Sequence, residues 1–105
     1  ITRHGAEPLA FGHMEPAVRG MVQLMKAMEE TIIEAALTGN YGKALEAFQI
    51  NPLVKHGQCA QDLLDEMLVA HKKYLPQFAE KIAELEAKGV TVQDALAKEL
   101  CDKGL

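Results

Sequence analysis

From residue 15 to 38 the apolar side chains Val18, Val22, Met25, Ile32, Ile33 and Ala36 recur at three- and four-residue steps, the spacing of one helix face. This predicts a long amphipathic helix opened by Pro16, whose missing N–H costs nothing in a first turn. Met21, Leu24, Met28 and Leu37 widen the stripe beyond what one neighbour covers, so contact on more than one side is expected. Gly39 suits a left-handed helix stop and Asn40 suits a cap for a second helix at 41–50, with Ala44, Leu45 and Phe48 on one face before Pro52 bars continuation.

The same reading predicts a third helix at 58–75 with Leu63, Leu64, Met67, Leu68, His71, Tyr74 and Leu75 along its buried side. Pro76 breaks or kinks it, and a segment at 77–88 resumes with Phe78, Ile82 and Leu85 before Gly89. Thr91 and Asp94 approximate a capping box for a last helix at 92–102 that uses Leu96 and Leu100. Residues 1–14 hold Gly5, Pro8 and Gly12 around Leu9-Ala10-Phe11, the pattern of an extended arm with one short strand. The expected fold is all-α: a single domain over 1–105, built as a small bundle of four to five helices with an extended N-terminal arm.

At 105 residues there is room for one modest core, and with 49% hydrophobic but only 5% aromatic residues, aliphatic and methionine side chains must fill it. A net charge of −4 argues against a surface that tracks phosphates, so nucleic acid is set aside. No apolar run reaches the roughly 18 residues of a membrane span, and the first residues lack a signal-peptide pattern, so a cytoplasmic location is expected. Cys59 and Cys101 fit neither a disulfide framework nor a zinc site by spacing and are expected to be reduced thiols. The chain opens at Ile1 without a methionine, as a piece of a larger parent would.

Candidate chemistry is sparse. His4 and His13 fall in the arm and His56 in a turn; only His71 lies on a predicted helix, without Asp65, Glu66 or Glu80 at ligand spacing. It reads as a partly buried packing residue or a hydrogen-bond donor to backbone rather than a ligand. Cys59 and Asp62 are one turn apart, yet no histidine shares their face to activate the thiol. Glu29, Glu30 and Glu34, and later Glu80, Glu84 and Glu86, alternate with Lys26, Lys81 and Lys88 as on a solvated face. The Met21, Met25 and Met28 stripe reads as core, or as an adaptable face for a partner helix if the chain is a free-standing interaction module.

The ordered series EAALTGNYGKALEAFQINPLV (34–54) and LLDEMLVAHKKYLPQF (63–78), with HGAEPLAFG (4–12) before them, resembles the C-terminal end of the family 4 glycoside hydrolases. The likeness rests on Ala-Ala-x-Thr-Gly at 35–39, Pro-Leu-Val at 52–54 and an Ala-His-x-x-x-Leu-Pro-x-Phe pattern at 70–78, and it is strongest toward the bacterial 6-phospho-β-glucosidases. It implies a larger parent that binds NAD in a Rossmann-type domain, holds a divalent metal, commonly manganese, through a cysteine and a histidine, and cleaves 6-phosphoglycosides by transient oxidation and elimination. It also implies packing against the remainder of the parent, homo-oligomer contacts, and a phosphorylated disaccharide substrate of α or β linkage. The family's Gly-rich nucleotide loop, Cys-Asn-x-Pro motif and Asn-His motif find no match in these residues. No catalytic, cofactor-binding or metal-binding residue is therefore assigned, and the chain alone is expected to be inactive.

Overall fold

A computed structural model of the chain describes residues 1–54 and 57–93. Helix α1 occupies Pro16–Thr38 with Pro16 in its first turn. It ends at Gly39, whose backbone is left-handed (φ 71°) and whose N–H donates to the Ala35 carbonyl at 2.8 Å. The Asn40 side chain then accepts the Lys43 N–H at 3.1 Å and starts α2, Tyr41–Ile50. Helix α3 covers Gln58–Ala70 and α4 covers Ala79–Ala87. All the described regular elements are helical, so the fold is all-α.

Between α3 and α4 the structure departs from the sequence pattern. The helix expected over 58–75 ends at Ala70, and single 3₁₀ turns follow at Lys72–Tyr74 and Pro76–Phe78. Pro76 lacks the N–H that would bond four residues back, and its ring pushes Leu75 out of the helical region, to φ −123° and ψ 55°. Consequently His71 and Tyr74 leave the buried face and are exposed. Leu63 and Met67 are exposed as well, because α3 turns Ala60, Leu64 and Leu68 inward and presents its other apolar side to solvent.

The core gathers Ala35 of α1, Ala44 of α2, Leu64 and Leu68 of α3, and Phe78, Ile82 and Leu85 around α4. Ile32, Leu45, Phe48 and Leu75 close its margin. Only the C-terminal part of α1 shares in it, where α2 and the Pro76–Phe78 turn both meet the helix; the contact on more than one side is confined to that end, and the side chains of Ile33 and Ala36 are exposed. The first half of α1 is exposed at every residue through Leu24. In the arm, the expected short strand around Leu9-Ala10-Phe11 does not form; the pairing there is a single bridge between Thr2 and Gly5. The capping box at Asp94 and the body of the helix expected at 92–102 lie outside the described residues.

Candidate functional site

Two places concentrate unusual environments. The first begins with the Asn40 cap, which makes Tyr41 the opening residue of α2 and turns its ring toward α3. There the phenol donates to Asp65 Oδ1 at 2.6 Å. Lys81 of α4 lays its ammonium 4.5 Å from the centre of the Tyr41 ring and pairs with Glu84 at 3.0 Å. Burial first, and then the hydrogen bond to Asp65, hold the Tyr41 phenol well above its ordinary pKa. A phenol so protonated, with its proton aimed at a carboxylate of the same chain, fastens α2 to α3 and is not poised as a base at neutral pH.

The second is a partly open cavity of about 230 Å³ between α1, α2 and α3, lined by Ile32, Phe48, Leu64, Met67, His71 and Phe78 among others. Its walls are almost wholly hydrocarbon. Such a cavity accepts an apolar group but has few polar side chains with which to orient a sugar or a phosphate.

The remaining candidates stay apart. His4 sits in the exposed arm, where Arg3 Nε donates to its Nε2 at 3.4 Å, and His13 is exposed in the same arm. His71, read from the sequence as a partly buried packing residue, is exposed at the C-cap of α3 because that helix ends early. Cys59 is an exposed free thiol, and Asp62 accepts from Gln58 Nε2 at 2.8 Å. His56 and Cys101 lie outside the described residues. Among the described residues no three His, Cys, Asp or Glu side chains converge on a point that could hold a metal ion. Several glutamates form exposed ion pairs, Lys26–Glu29 at 2.7 Å and Lys72–Glu86 at 2.7 Å among them, of the kind that contribute little to stability. Sequence reasoning missed Tyr41 altogether; its partner is 24 positions away, and no local pattern marks the pair.

Comparison with known proteins decides the family. The model of the family 4 glycosyl hydrolase C-terminal domain matches residues 1–54, which take in the arm, α1 and α2. The chain belongs to that family. This glycosyl hydrolase domain is 51% identical over 82 residues to a protein of Bacillus subtilis described as a probable 6-phospho-beta-glucosidase, an overlap of 78% of the chain and 19% of that protein. It is 39% identical over 87 residues to the 6-phospho-beta-glucosidase of Escherichia coli, covering 82% of the chain and 19% of the relative. With a phospho-alpha-glucosidase of Clostridium acetobutylicum it shares 34% identity over 74 residues, covering 70% of the chain and 17% of the relative. The domain thus spans about a fifth of the length of the curated relatives it matches. No described helix is long and apolar enough to cross a membrane.

Proposed function

We propose that this chain is the C-terminal helical part of a longer 6-phospho-β-glucosidase that hydrolyses phosphorylated β-linked disaccharides inside the cell, and that it serves as scaffold and not as a source of reacting groups. The observation that carries the β assignment is the gradient of identity, 51% and 39% to two relatives named for β-glucosides against 34% to one named for α-glucosides. A phosphorylated sugar does not cross a bilayer unaided, which favours a cytoplasmic site of action.

In this reading the longer enzyme uses NAD and a divalent metal, manganese being the natural candidate. The described residues do not fit either group: no metal-ligating cluster forms among them, and Gly39 and Gly42 flank a helix start without the strand that precedes a dinucleotide loop. No chemical step is therefore assigned to this chain. The test is to assay the full-length enzyme with NAD and manganese on p-nitrophenyl 6-phospho-β-glucoside and on its α anomer. Turnover of the β anomer is expected. Turnover of the α anomer alone moves the assignment to a phospho-α-glucosidase, and turnover by residues 1–105 alone overturns the scaffold role.

A further inference from the structure

We draw no further inference here: the strongest candidate, the partly open apolar cavity between α1, α2 and α3, carries nothing because its walls are almost wholly hydrocarbon and nothing among the described residues shows what covers it.

Discussion

The backbone carbonyl of Gln77 lies over Gly39, in the space a Cβ at that position would need. Gln77 also donates from Nε2 to the Ala36 carbonyl at 2.9 Å, so one residue between α3 and α4 holds the last turn of α1 from two directions. The left-handed backbone of Gly39 and this contact make the same demand, that the residue ending α1 carry no side chain.

Replacing Gly39 by Ala should therefore destabilise the chain by about 2–4 kcal/mol, from left-handed strain together with displacement of the Gln77 backbone. Urea denaturation followed by circular dichroism reads this directly. Gly20 supplies the contrast, since it lies within α1 with open space around it, and Gly20→Ala should stabilise the isolated chain by about 0.5–1 kcal/mol. A loss at Gly39 no larger than the roughly 1–2 kcal/mol of left-handed strain alone would mean that the Gln77 contact is absent.

Leu68 is 4% exposed within the core cluster, whereas Met67 beside it is 40% exposed. Leu68→Ala should cost about 2–5 kcal/mol and Met67→Ala well under half of that. Thermal or urea unfolding of the two variants decides which face of α3 is inward. A larger loss at Met67 would reverse the assignment.

That face was only partly legible beforehand, and the reason is physical. Helix α3 carries apolar residues around much of its circumference, so periodicity admits Leu63 and Met67 as readily as Leu64 and Leu68; the choice is made by the neighbours, which are distant in sequence. The boundary at Gly39 and Asn40 was legible because both caps act within four residues. Pro76 announced a break, but its effect on the residues before it ended the helix at Ala70, several positions earlier than expected. Ordered short motifs sufficed to reach the family. The Tyr41–Asp65 and Gly39–Gln77 relationships, 24 and 38 positions apart, left no trace in any local pattern.

Glu84 links stability to acid pH. Its hydrogen bond to Lys88, followed by that to Lys81, holds the carboxyl below the ordinary value, so its contribution is present above the unfolded carboxyl's pKa and is lost as pH falls through the folded one. Urea midpoints should therefore decline on acidification less steeply in Glu84→Gln than in the parent chain. Because the group is exposed, about 1 M salt should shrink the difference between them. A difference that survives such salt would point to a buried carboxylate instead.

Tyr41 acts at the opposite end of the pH range. Burial and the Asp65 hydrogen bond both favour the protonated phenol, raising its pKa in the folded chain above the ordinary value of 10.0. Below that value the phenol is protonated whether the chain is folded or not, and its contribution is complete. As pH rises past it, the unfolded chain releases the proton while the folded chain retains it, so unfolding becomes easier. The urea midpoint should consequently fall above about pH 10, where the unfolded phenol ionises. Tyr41→Phe should remove that component of the fall and, by deleting the bond to Asp65, cost about 0.5–1.5 kcal/mol at neutral pH. An alkaline decline of unchanged steepness in the variant would assign the dependence to another group and release Tyr41 from its role in joining α2 to α3.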